Sequence, residues 1–182
     1  MIETELKVII DKDKYEAVKA MFSWDVVFEQ TNSYYTDPAG ALKAHGITFR
    51  IRTIDDVNKI QIKRHKSKYK ALQTSEESEY SIDNIPELFT NEEVINLTGV
   101  DTMAILLGSL KTTRHSFIYC DGVEICLDMS EYLGVTDYEI EIEYSQSIPH
   151  SLLELFTKIG ISFDKTSTGK FTRFLNKLNN RA

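Results

Sequence analysis

The chain has 182 residues, 42% of them hydrophobic, with 21 basic against 28 acidic side chains and a net charge of −7. That suffices for one globular domain over residues 1–182, and the acidic balance excludes the broad basic field that duplex nucleic acid or an anionic membrane would require. Cys120 and Cys126 lack zinc-type spacing and fit free thiols in a reducing cytoplasm, the acidic N-terminus does not read as a secretion signal, and no apolar run approaches the roughly 20 residues that span a bilayer.

The opening MIETELKVII alternates at a strand's period of two, which puts Glu3, Glu5 and Lys7 on one face and Ile2, Thr4, Leu6 and Val8 on the other. A helix is predicted over DKDKYEAVKAMF, with Asp11 or Asp13 as its cap and Tyr15, Val18 and Phe22 along one stripe. Strands follow at TNSYYTD, GITFRIRTI, KIQIKRHK and EESEYSI, punctuated by the turn-prone PAG and DDVN. NEEVINL and TMAILLGSL read as helices beginning near Asn91 and Asp101. KTTRHSFIYC, VEICLDMSEY and DYEIEIEYS return to alternation. IPHSLLELFTKIG is predicted helical between Pro149 and Gly160, and GKFTRFLNKLNN closes the chain as a helix. About eight strands joined mostly by short turns predict an α+β fold: an eight-stranded antiparallel barrel with helices packed outside. An open, cupped sheet would give the same alternation.

The charges on these strands segregate by sign. Arg50 and Arg52 share a face, as do Gln61, Lys63 and His65; Glu77 and Glu79; and Glu139, Glu141 and Glu143. A solvent-facing sheet surface normally mixes its polar residues, and like charges on one face repel unless an opposite charge lies between them. Each strand also has an apolar back face that external helices can cover. The economical arrangement is therefore an inverted barrel, with charges inward and apolar residues outward. Such an interior must be wet or filled by a charged ligand. Lys7, Arg50, Arg52 and Lys63 suit the oxygens of a polyphosphate, and Glu3, Glu5, Glu139 and Glu141 suit a hard divalent cation.

The opening Glu3-Thr-Glu5-Leu-Lys7 resembles the E-x-E-x-K signature of the CYTH superfamily, the triphosphate tunnel metalloenzymes. NSYYTDPAGALKAHGITFRIR, KIQIKRHK, TTRHSF, VEICLDMSEY, DYEIEIEY and STGKFTRFL are similar to that family's later elements, in the same order. The resemblance implies a tunnel that holds a triphosphate. It implies Mg²⁺ or Mn²⁺, one or two ions, on Glu3, Glu5, Asp128, Glu139 and Glu141, with Glu143 continuing the same face. Lys7, Arg50, Arg52, Lys63, Arg114, Lys170 and Arg173 would bind phosphate, and Glu5, Lys7 and Glu141 would carry the catalytic work. Glu77 and Glu79 would either touch the metal's waters or balance the arginines.

The implied activity is hydrolysis of a small triphosphate, inorganic triphosphate ahead of nucleoside triphosphates. A class IV-type adenylate cyclase, a thiamine triphosphatase and a non-catalytic polyphosphate- or nucleotide-binding module are the alternatives. A carrier barrel for apolar ligands fails on strand parity. The expected partner is a small-molecule triphosphate, with no membrane and no duplex nucleic acid, in a monomer or homodimer.

Smaller expectations follow from phase. One of Tyr34 and Tyr35 faces inward, His65 sits at the tunnel mouth or on the surface, and Trp24 packs. At Asp121-Gly122 a two-residue hairpin loop would pair His115 with Asp128. A three-residue loop from Cys120 to Gly122 would instead set Arg114 across from Asp128, and this is the one predicted.

Overall fold

The computed structural model describes residues 2–180. Alternation carries β1 (Ile2–Ile10) up to Asp11, whose carboxylate accepts from the Lys14 backbone amide at 2.8 Å and so caps α1 (Lys12–Met21). Four strands follow, β2 (Val26–Thr36), β3 (Ile47–Ile54), β4 (Val57–Tyr69) and β5 (Leu72–Ile82), interrupted by the one-turn α2 (Ala41–Ala44). The two-residue β6 (Leu88–Phe89) leads to α3 (Asn91–Thr98), which starts with a Thr90–Glu93 capping box. Three long strands, β7 (Ala104–Cys120), β8 (Val123–Tyr132) and β9 (Val135–Tyr144), precede α4 (His150–Lys158) and α5 (Lys170–Asn179).

All pairings are antiparallel, in the order β2-β3-β4-β5-β1-β9-β8-β7, and β2 pairs in turn with β7. The eight long strands therefore close into a barrel with no free edge, while β6 adds a short rung beside the start of β7. The sheet is inverted as the charge pattern requires. Ile125, Leu127, Ile140 and Ile142 of β8 and β9 point outward under Val18 of α1 and Leu152 and Phe156 of α4. On the opposite side, Phe49, Ile51, Ile60 and Ile62 of β3 and β4 pack beneath Leu42 and Val94. A third cluster, with Phe174 of α5 against Tyr34, Leu110 and Tyr132, fixes the last helix on the barrel. Each such side chain taken fully out of water contributes roughly 1.5–3 kcal/mol, so the two larger clusters let most of the core sit outside the barrel, while the third lies on its inner face under α5.

Two local readings are corrected. TMAILLGSL is not a helix: Ala104 onward is the first half of the 17-residue β7. The strand slips register between Tyr34 and Tyr35 of β2, which face Gly108 and Leu106, so Leu107 is an extra residue that breaks the alternation. Leu106 then packs toward the α3 side and Leu107 toward α5, so the strand buries both flanks and looks helical in sequence.

The second correction concerns the β7–β8 turn. Strand pairing runs to Cys120 and Val123, so the loop is the two residues Asp121-Gly122, with Gly122 at φ 70°. Arg114 nevertheless faces Asp128, because a bulge between Ile118 and Cys120 absorbs the extra residue within β7 instead of in the loop.

Candidate active site

The inward faces enclose a cavity of about 450 Å³ running through the barrel. Glu3, Glu5, Lys7, Arg50, Arg52 and Lys63 all line it, as do Arg114, Glu141 and Lys170. Asp128, Glu139 and Arg173 do not reach its surface. They stand behind it and act on it through Arg114 and Lys170.

This supporting layer is a charge-matched cluster. Arg114 forks onto Asp128, with Nε donating to Oδ1 at 2.8 Å and Nη2 to Oδ2 at 2.7 Å, and Nη2 also meets Glu141. The Lys170 ammonium lies 2.8 Å from Asp128, 2.5 Å from Glu139 and 2.7 Å from Glu141. Arg173 donates through Nε to Asp137 and through Nη1 to Glu139, both at 2.8 Å. Burial alone would raise Asp128 and Glu141, but Arg114 and Lys170 outweigh it at Asp128, and Lys170, Lys7 and Arg114 outweigh it at Glu141; both are held below the usual carboxylate range. Glu139 goes the other way, pushed up by burial and by Glu141. Lys170 is held well above its ordinary value against burial by the three carboxylates around it.

The β1 wall is looser. Lys7 Nζ is 2.6 Å from Glu5 and 3.5 Å from Glu141, and Lys63 Nζ is 2.5 Å from Glu3, 3.0 Å from Glu77 and 3.5 Å from Glu5. Glu5 and Glu143 are cross-strand neighbours on β1 and β9. Glu3, Glu5 and Glu143 bring carboxylate oxygens within 4.8 Å of one another; Asp128, Glu139 and Glu141 form a second such group. The second group encloses the ammonium of Lys170. The first faces the cavity, and its Glu143, 3.5 Å from Arg114, is pushed up to about 7 by burial and by Glu141, Glu3 and Glu5. Sequence phase put Glu143 on the right face, and only the β1–β9 register placed it beside Glu3 and Glu5.

The third wall, on β3, carries Arg50 and Arg52, whose Nε atoms are held by amides rather than carboxylates. Arg50 Nε donates to Gln61 Oε1 at 2.8 Å and Arg52 Nε to Asn32 Oδ1 at 3.2 Å. Both Nε atoms are thus held by neutral amides, while Glu77 acts on both guanidinium groups and Glu79 on Arg52 through charge. Burial, together with Arg50 and Arg114, lowers Arg52 to about 9.

The remaining expectations sort by face. Tyr34 points inward and stacks on Phe171 at 4.8 Å, whereas Tyr35 points outward and donates its hydroxyl to the Pro86 carbonyl. His65 lines the cavity beside Thr48, and burial plus Lys63 and Lys7 lower its pKa. Trp24 packs on Phe22 and His115. Glu77 and Glu79 line the cavity, Glu77 on Lys63 and Glu79 on Lys59 and Gln61. Sequence reasoning missed Gln30, Asn32, Gln73 and Lys68, which also line it. Gln30 and Asn32 are in phase with Tyr34 on β2, but neutral amides on a strand carry no charge pattern to single them out.

The CYTH domain profile matches residues 1–169. The chain belongs to the CYTH domain family. The match ends one residue before Lys170, so this chain's site extends past the matched segment. Among solved structures, a putative adenylyl cyclase from Hippeastrum, described as having a dominant triphosphatase activity, is similar at 21% identity over 96% of this chain and 95% of that one, with a TM-score of 0.77. A putative adenylate cyclase from Bacillus halodurans is similar at 23% identity over 94% and 96%, TM-score 0.69. The mimivirus capping enzyme triphosphatase is similar at 13% identity over 87% of each chain, TM-score 0.55. At these identities the likeness establishes a shared CYTH fold. No curated protein matches the sequence. No helix among the described residues is long and apolar enough to cross a membrane.

Proposed function

We propose that this CYTH protein is a divalent-metal-dependent triphosphatase that holds a small triphosphate, inorganic triphosphate first, inside the barrel. The observation that carries the reading is the pairing, within one cavity of about 450 Å³, of two arginines anchored by neutral amides and a triad of carboxylates. An anion-binding module would need only the arginines.

The carboxylate triad fits a hard cation. Glu3, Glu5 and Glu143 offer only oxygen donors, and Glu143 is raised first by burial and then by Glu141, Glu3 and Glu5, a setting that a cation would relieve. Asp128, Glu139 and Glu141 already surround an ammonium, so we place one ion, Mg²⁺ or Mn²⁺, on the first triad rather than the second. Bound there, it would supply Lewis-acid neutralisation of phosphate oxygens.

The chain's own residues do the rest. Arg50 and Arg52 present their terminal nitrogens to the phosphates, and Lys7 and Lys63 add ammonium donors from the facing strands. Glu141 stays ionised and keeps Lys7, Lys170 and Arg114 in position. Water attacks the terminal phosphorus, the P–O bond to the departing diphosphate breaks, the water's protons end on the released phosphate and diphosphate oxygens, and the negative charge gathered on the diphosphate meets the basic wall. Strand-borne side chains are fixed before substrate arrives, so little reorganisation is left to the reaction itself.

The test is incubation with inorganic triphosphate, ATP and thiamine triphosphate, each with Mg²⁺ or Mn²⁺, measuring phosphate and cyclic nucleotide. Metal-dependent phosphate release from inorganic triphosphate is expected. Tight binding with no release from any of the three would leave only a binding module.

A further inference from the structure

Lys7, Lys63, Arg114, Lys170 and Arg173 are each tied directly to carboxylates, whereas Arg50 and Arg52 are anchored differently. Arg114 and Arg173 direct Nε at Asp128 and Asp137, so the contact that fixes each also offsets its charge. Arg50 and Arg52 also have Nε fixed, but by amide oxygens of Gln61 and Asn32. Both contacts are built by register. Asn32 of β2 stands directly across from Arg52, and Gln61 of β4 directly across from Arg50, so one strand on each side of β3 supplies one clamp. Both amides are buried, Asn32 at 0% exposure and Gln61 at 3%.

We propose that Asn32 and Gln61 are positioning residues whose neutral amides lock the guanidinium planes of Arg52 and Arg50 by Nε while leaving both charges and both terminal NH₂ edges to the phosphates. This rests on the triphosphatase reading and deepens it. Physically, a guanidinium held by one edge loses little further rotamer entropy when its opposite edge binds a phosphate oxygen. A carboxylate in the same place would hold it more strongly and cancel the charge that the anion needs.

Two further observations fit. Asn32 Oδ1 must face the Arg52 donor, which leaves its Nδ2 buried with no partner in the protein. A buried amide NH₂ without an acceptor is costly to keep, and here it lines the cavity beside Arg52, where an anion's oxygen would satisfy it. Gln61 spends its own NH₂ on Glu79, which fixes the amide's orientation with Oε1 toward Arg50. Burial and the neighbouring Arg50 and Arg114 lower Arg52, with Glu77 offsetting only part of that, which fits a guanidinium held ready for an anion.

The experiment compares near-isosteric variants by calorimetric titration with inorganic triphosphate, alongside thermal unfolding of the ligand-free protein. N32D keeps the hydrogen bond and adds the cancelling charge. It should raise Kd at least tenfold while leaving the ligand-free Tm unchanged or higher, a split that a merely structural role would not produce. The exchange Q61E/E79Q conserves net charge but moves it onto Arg50, and should weaken binding similarly, covering the case in which N32D misfolds. General repulsion of the anion is separated by an R52Q background, in which N32D should change Kd by less than threefold.

Wild-type binding with N32D and Q61E/E79Q both within threefold of it overturns the assignment, as does an N32D effect undiminished by R52Q. A wild-type chain that fails to bind triphosphate at all refutes the parent reading instead.

Discussion

Replacing Lys170 by methionine tests whether the carboxylate cluster behind the cavity depends on its ammonium. The side chain of Lys170 is 10% exposed, and Asp128, Glu139 and Glu141, at 2.5–2.8 Å from its nitrogen, are 0%, 1% and 6% exposed. Methionine keeps the length and much of the packing of the stem, so the loss is chiefly electrostatic. Three carboxylates within 4.8 Å of one another would then share Arg114, Arg173 and the more distant Lys7, the last two already divided with Asp137 and Glu5. Leaving one buried charge unpaired costs about 3–5 kcal/mol, so K170M should lose that much stability in urea unfolding at pH 7.5. The cluster also predicts strong non-additivity: in an E139Q background the surplus charge is gone, and K170M should cost at most half as much. A loss below about 1 kcal/mol, or an equal loss in both backgrounds, would refute a charge-matched cluster and reduce Lys170 to a helix residue near the mouth.

Much of this fold was legible because sign segregation on alternating strands is a strong pattern with few explanations. Arg50 with Arg52, and Glu139 with Glu141 and Glu143, pointed to an inward charged face before any pairing was known. What failed was local. At 102–110, Leu107 is a bulge residue, and one extra residue destroys the period that a strand is recognised by. At Asp121-Gly122 the predicted facing of Arg114 and Asp128 holds, yet the extra residue lies in β7 between Ile118 and Cys120, because a bulge and a longer loop shift register equally. The site divides along the same line. Charged residues announced themselves by phase, but phase along one strand says nothing of depth: Glu139 shares its face with Glu141 yet stands behind the cavity wall, as does Asp128, which only the family resemblance had implied. Asn32 and Gln30 gave no signal, since an amide acquires a role only from the arginine or ligand set across from it by register.

Three further outcomes are expected. E5Q should abolish triphosphate turnover and leave the folded protein intact by circular dichroism; normal metal-dependent activity would remove β1 from the mechanism. E143Q should weaken Mn²⁺ binding at least tenfold by calorimetry, whereas an unchanged affinity would move the ion away from the Glu3, Glu5 and Glu143 triad. The last concerns His65, whose ring lines the cavity with Thr48 at 3.3 Å and whose pKa is lowered by burial and by Lys63 and Lys7. A base lowered in the folded state contributes nothing above its unfolded value of about 6.5, destabilises increasingly as pH falls from there toward its folded value, and adds no more below it. H65Q should therefore flatten the decline in stability below about pH 6.5. A bound triphosphate reverses the field at the ring, because its charges oppose Lys63 and Lys7, so the pKa must rise on binding and a proton is taken up. Proton NMR titration of the ring should place the free midpoint below 6.5 and move it upward when inorganic triphosphate is added. A free midpoint at or above 6.5 would mean that the ring faces solvent rather than the basic wall. A midpoint that does not move would mean that the anion binds somewhere other than this cavity.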